Sequence, residues 1–334
     1  MIQNDFMKTI HGEVTDGVPF WEVWFAMEEL PEYVLGRPME TIDDEIEFAR
    51  MMGWEYLRVR VPARRPGSTS QVASDGTSHY VQTGRIDLQE LYDKPEPEWE
   101  KAREEMAPRV QRIKDEGMVA ICYLPWAFHS VNTALGLEHF SLLIYDDPEY
   151  INAMFDWVEE GCRKALEEVV IPLDIDLVLF DGDCAFKNGL MIRPDMFREL
   201  VFERTKTTTG LLRDAGIPYT LHSDGKADEL LPILIELGFS AFHGVEAQAN
   251  DLGEIKERFG EDITLVGNMD VVFLTKATIP EIRAATEEML KTGSPGGRYM
   301  AACNTSPLDY IPKENYLAMV DVINNFSRSS DVQP

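Results

Sequence analysis

The stretch PYTLHSDGKADELLPILIELGFSAFHGVE (218–246) holds one complete unit of the fold. A short apolar and aromatic run, PYTLHSDG (218–225), leads into the helix-like ADELLPILIELG, which ends on a glycine suited to a left-handed cap. A second short run, AFHGVE (241–246), follows at once. The same alternation extends in both directions. Upstream lie VPFWEVWF (18–25), WEYLRVRV (54–61), MVAICYLPW (118–126) and DLVLFDGD (176–183); downstream lie ITLVGNMD (263–270) and GGRYMAACN (296–304). Helix-like segments such as IDDEIEFARMMG, PEWEKAREEMAPRVQRIKDEG and IPEIRAATEEMLKTG separate them.

Strict alternation of strand and helix implies parallel strands joined by right-handed crossovers. Eight such units predict an α/β fold of the (β/α)8 TIM-barrel type over residues 1–334, with an open doubly wound sheet as the alternative. No GxGxxG or GxxxxGK[ST] turn gives the open sheet its usual nucleotide-binding purpose. The interval between the second and third strands is too long for one helix. Its polar segment, near 66–86, reads as a hairpin insertion turning at Asp75-Gly76 that could form a lid. Nothing suggests a second domain, and the tail SRSSDVQP is expected to fray.

The chain has 334 residues, 44% of them hydrophobic, enough for a large core. Its 59 acidic and 31 basic residues give a net charge of −28, which argues against nucleic acid or an anionic membrane surface as partner. No apolar run is long enough for a membrane helix and the start lacks a secretion-signal layout, so a cytoplasmic protein is expected. Four scattered cysteines with no CxxC pair read as reduced thiols.

In barrels of this kind functional groups stand at the C-terminal ends of strands. Those positions hold Trp24, Arg58, Tyr123, Trp126, Asp181, Asp183, His222, Asp224, Glu246, Asn268 and Cys303. His222 and Asp224 are two residues apart, so on an extended strand their side chains share a face. With Cys303 and Glu246 they form a nitrogen, carboxylate and sulfur set that suits zinc. The bland alternatives are a buried cysteine acting as a small hydrophobe and strand-end polar groups bonding backbone. Asp181 and Asp183 could be an acid/base pair or a turn with a cap. Arg58 and Arg60 could clamp an anion or pair with acids at the mouth. Lone histidines such as His129 and His243 read as hydrogen-bonded framework.

The segments DGDCAFKNGLMIRPDMFRELVF, LHSDGKADELLPILIELGFSAFHGVE, LVGNMDVVFL and IPKENYLAMV resemble the uroporphyrinogen decarboxylase superfamily across nearly the whole chain. The resemblance implies a (β/α)8 barrel and one of two chemistries. One is decarboxylation of a tetrapyrrole without metal, using an arginine-rich N-terminal segment; here MIQNDFMKTIHGEVTDGVPF contains no arginine. The other is methyl transfer to or from a corrinoid, with zinc on a His-x-Cys pair and a distant cysteine. His222 and Cys303 match that zinc pattern, Glu246 matches an acidic group near the metal, and Asp224 stands where cysteine is usual. A carboxylate in place of a thiolate makes the ion a harder Lewis acid, which favours an oxygen leaving group such as that of a methyl ether.

The resemblance therefore implies a zinc-dependent methyltransferase that works with a corrinoid protein and a small methylated substrate. His222, Asp224, Cys303 and Glu246 would surround the metal. Glu246, Asp181 and Tyr123 would take catalytic or positioning roles, and Trp24, Arg58, Trp126, Asp183 and Asn268 would line the substrate. A metal-free carboxy-lyase, with Arg58, Arg60 and Arg298 on carboxylates, and a non-catalytic corrinoid or small-molecule binder are the alternatives.

Overall fold

The computed structural model describes residues 4–67, 69–72, 78–81 and 84–327. Its centre is a curled parallel sheet of seven strands: β1 (Tyr56–Val59), β2 (Val119–Pro125), β3 (Leu177–Asp181), β4 (Tyr219–His222), β5 (Ala241–His243), β6 (Thr264–Val266) and β7 (Tyr299–Met300). Each strand pairs in parallel with the next one in sequence, as a sheet built from successive strand–helix units must. Buried aliphatic residues dominate the strands; every residue of β2 is buried. Helices cover the sheet, among them α1 (Ile42–Met52), α2 (Trp99–Asp115), α3 (Pro148–Ala165), α4 (Glu203–Ala215), α5 (Leu231–Leu237), α6 (Leu252–Phe259), α7 (Ile279–Gly293) and α8 (Lys313–Asn325). Thr41 starts α1 with a capping box to Asp44, and α1, α4 and α5 end on left-handed glycines, as their sequences require.

The expected first strand, VPFWEVWF, is not a ladder strand. It touches the sheet through one parallel bridge, Phe20 to Ala301, with Trp21 N–H donating to Ala301 O at 2.9 Å. Pro19 lacks an N–H, and side chains take the next carbonyls: Tyr56 Oη donates to Glu22 O (2.7 Å) and Tyr123 Oη to Val23 O (2.6 Å). The other strands are shorter than their sequence patterns. β4 ends at His222, so Asp224 lies in the following loop rather than on an extended strand.

The hairpin insertion is present, Thr69–Val72 pairing antiparallel with Ser78–Val81; its expected turn at Asp75-Gly76 lies outside the described residues, as does most of the tail. Two helices not anticipated from the sequence, Ala127–Leu135 and Leu137–Asp146, fill the space after β2, and a small hairpin, Ala185–Phe186 with Gly189–Leu190, follows β3. Among the described residues no helix is long and apolar enough to cross a membrane.

Glu159 on α3 is buried and accepts a hydrogen bond from the Thr208 hydroxyl; burial pushes its carboxyl up to about 7. Between its unfolded value and about 7, the folded protein keeps a proton that the unfolded chain releases. This contribution to stability is complete below about pH 4.5 and is lost as pH rises through 7. Glu159→Gln is expected to shrink the stability difference between pH 5 and pH 8 by roughly 2–3 kcal/mol, read from urea unfolding at both values. An unchanged difference would show that Glu159 is ionised in the fold.

Candidate metal site

At the C-terminal ends of β4 and β5, the register sets His222 beside His243, with the two Nδ1 atoms 2.7 Å apart. Two ring nitrogens that close must share one proton, which fixes both rings and turns His222 Nε2 toward the loops. There it meets Asp183 Oδ1 at 3.6 Å and Asp224 Oδ1 at 3.9 Å. The loops hold each other in place. Asp224 N–H donates to Asp183 Oδ1 (3.0 Å), Gly225 N–H to Glu246 Oε2 (2.9 Å), and Cys184 N–H to Ser223 Oγ (3.1 Å).

Asp183, His222 and Asp224 form a group whose donor atoms all lie within 4.8 Å of one another, a candidate metal site. Two features fit a cation. Asp224 Oδ1 is buried without a hydrogen-bond partner, a costly state for a carboxylate oxygen. Burial, with Asp183 and Glu246 nearby, also pushes the Asp224 carboxyl up to about 6, against the opposing pull of His222. The separations of 3.6 and 3.9 Å are close to the edge of about 3.4 Å expected between donors in a tetrahedral zinc site.

The ligand set differs from the sequence expectation. Cys303 does not join the group. Its N–H donates to Glu22 Oε1 (3.0 Å), it bridges Met269, and burial beside Glu22 keeps its thiol protonated. Asp183, expected to contact substrate, takes its place. Glu246 stands behind Asp224 as a loop brace rather than within the group.

The other expected site residues lie outside this group. Trp126 is fully buried and donates from Nε1 to Thr205 Oγ1 (2.9 Å), so it is core. Tyr123 spends its hydroxyl on Val23 O, and burial raises its pKa further. Asp181 pairs with Arg65 at 3.7 Å. Asn268 lines a separate cavity with Phe273 and Met289. Trp24 packs edge-on between Tyr123 and His222, with ring centroids at 4.7 and 6.2 Å, and its ring also faces the Arg58 guanidinium at 4.9 Å.

A cavity of about 310 Å³ opens beside the group, lined by His129, Asn132, Leu137, Asp183, Phe186 and Met191. Asn132, buried on helix Ala127–Leu135, has its Oδ1 without a partner. Sequence reading names His129 and Asp183 but misses Asn132 and Leu137, because AFHSVNTALGLEHF carries no charge pattern that separates its two helices; only Gly136 divides them.

A curled parallel sheet with a carboxylate–imidazole cluster and a cavity at its C-terminal end defines a barrel-like α/β protein whose site belongs where enzymes of that architecture keep theirs. The chain belongs to the uroporphyrinogen decarboxylase (URO-D) family, whose sequence model matches residues 89–326. Among solved structures, a methyltransferase from Methanosarcina mazei shares 18% identity with a TM-score of 0.71, covering 96% of this chain and 97% of that one. A sugar phosphate isomerase/epimerase from Parabacteroides distasonis ATCC 8503 shares 10% identity at a TM-score of 0.42, with coverage of 96% and 99%. A search of curated protein sequences found no match.

Proposed function

We propose that this chain is a zinc-dependent methyltransferase that moves a methyl group between a small substrate and a corrinoid carried by a partner protein. The carrying observation is the Asp183, His222 and Asp224 group beside a substrate-sized cavity, in a member of the URO-D family. Likeness in fold to a methyltransferase supports the reading. Segment 18–25 is taken as the eighth unit of a complete barrel.

Asp183, His222 and Asp224 would hold the ion, the two carboxylates balancing its charge and three protein donors leaving a position for substrate. The ion, when bound, supplies Lewis-acid stabilisation of charge developing on the atom that parts from the methyl group. Oxygen and nitrogen donors make the site harder than a thiolate site, which suits an oxygen leaving group and hence a methyl ether. His243 holds the His222 ring in the orientation that aims Nε2 at the carboxylates. Leu137, Phe186 and Met191 give the adjoining cavity an apolar wall.

The test is zinc content after purification without chelator, followed by methyl transfer from a panel of methoxybenzenes and methoxybenzoates to cob(I)alamin. About one zinc per chain and zinc-dependent transfer are expected; no binding of offered zinc at neutral pH would sink the proposal. His243→Ala should weaken zinc affinity about 10–100-fold, measured by chelator competition. An unchanged affinity would remove His243 from the site's support.

A further inference from the structure

Arg58 is a half-buried cation that pairs with no described carboxylate, in a chain with 59 acidic residues. Its Nε is buried with no hydrogen-bond partner. It lies instead over two aromatic rings, 4.1 Å from the Tyr123 centroid and 4.9 Å from that of Trp24. Its charged neighbours include two further cations, Arg60 and Arg65, and the nearby acid, Asp181, lies 3.7 Å from Arg65. Asp181 is thus already paired with Arg65. A partly desolvated charge left unpaired is costly, and natural structures keep such an arrangement where a ligand completes it.

Position adds a second argument. Trp24 touches Arg58 on one side and the His222 ring on the other. A ligand reaching from the candidate metal group across Trp24 would therefore bring its far end to Arg58. Stacking uses the face of a guanidinium, whereas its N–H donors lie in its plane and match the two oxygens of a carboxylate.

We propose that Arg58 anchors a carboxylate on the small substrate, which makes that substrate a flat organic anion rather than a neutral molecule. Calling this anion the substrate rests on the methyltransferase reading; the anion site itself does not. Trp24, half-buried, supplies an aromatic wall for the body of such a ligand.

The test is calorimetric titration of the purified protein with benzoate, with neutral benzamide and with inorganic phosphate, alongside zinc content and melting temperature. Benzoate should bind at least tenfold more tightly than benzamide. Arg58→Met should weaken benzoate about 10–100-fold and leave benzamide and zinc content unchanged. Arg58→Lys keeps the charge and the stem but loses the planar fork; it should weaken benzoate about tenfold, and it serves as the test if the Met variant does not fold. Equal benzoate affinity in wild type and both variants overturns the proposal, as does phosphate binding more tightly than benzoate at Arg58. Loss of methyl transfer with Arg58-dependent benzoate binding intact would instead count against the methyltransferase reading alone.

Discussion

In His222→Ala protein, zinc affinity is expected to fall at least a hundredfold and methyl transfer to cob(I)alamin about a thousandfold or more, while the fold survives. The argument is geometric. His222 is the group's one nitrogen donor, and its Nε2 faces both Asp183 and Asp224. Without it, two close carboxylates remain, one with its pKa already pushed up by burial, and they offer a divalent ion a poorer and incomplete set. Alanine at the end of β4 leaves His243 Nδ1 without its partner, so some loss of stability accompanies the change. Cys303→Ser separates the two possible ligand sets: zinc content should be unchanged, because the thiol lies in the core beside Glu22. Zinc lost with Cys303→Ser as well as with His222→Ala would put the thiol back among the ligands.

Gly244→Ala is expected to be the most disruptive small substitution near the site. Gly244 has φ +104°, and a Cβ there would stand 2.3 Å from Ser223 O and 3.4 Å from His222 Nδ1. Both atoms belong to the β4 end that carries the candidate ligands, so relief of the clash must move them. A loss of about 2–4 kcal/mol in stability, with zinc stoichiometry well below wild type, is expected. Gly36→Ala is the control for backbone strain alone. Its φ is +69° and nothing lies within 4 Å of the added carbon, so it should cost only about 1–2 kcal/mol. Urea unfolding of both variants, with metal analysis of the first, decides the matter; equal costs would show that the loop at Gly244 yields freely.

Seven of the eight strand segments were legible because alternating apolar runs and glycine-ended helices are local signals, and these decide which residues enter the sheet. VPFWEVWF carries the same local signal, yet its carbonyls are claimed by hydroxyls from Tyr56 and Tyr123, distant residues whose aim no periodicity reveals. His222 and Asp224 were visible for a similar local reason, at the end of a clear strand. Asp183 was harder to value, since a DGD turn looks the same whether its aspartate caps a loop or faces a histidine. Cys303 stands past the last strand as its sequence position suggests, but it is buried beside Glu22 and outside the Asp183, His222 and Asp224 group, a placement no local pattern reveals. Arg58 was visible as half of an alternating pair, but that it pairs with no described carboxylate is a property of three dimensions.

Segment 18–25 gives the sheet a seam. An interior strand such as β2 can leave only by breaking ladders on both edges, but this segment is held by an isolated bridge, two tyrosine hydroxyls and the bond from Cys303 N–H to Glu22 Oε1. Amide protons at the seam should therefore exchange with solvent well before those of β2, since few bonds must open to expose them. Trp24 rides on that segment, between Arg58 and His222. The wall that a ligand would press against thus hangs on fewer ladder bonds than β4, whose end holds His222 between two paired neighbours.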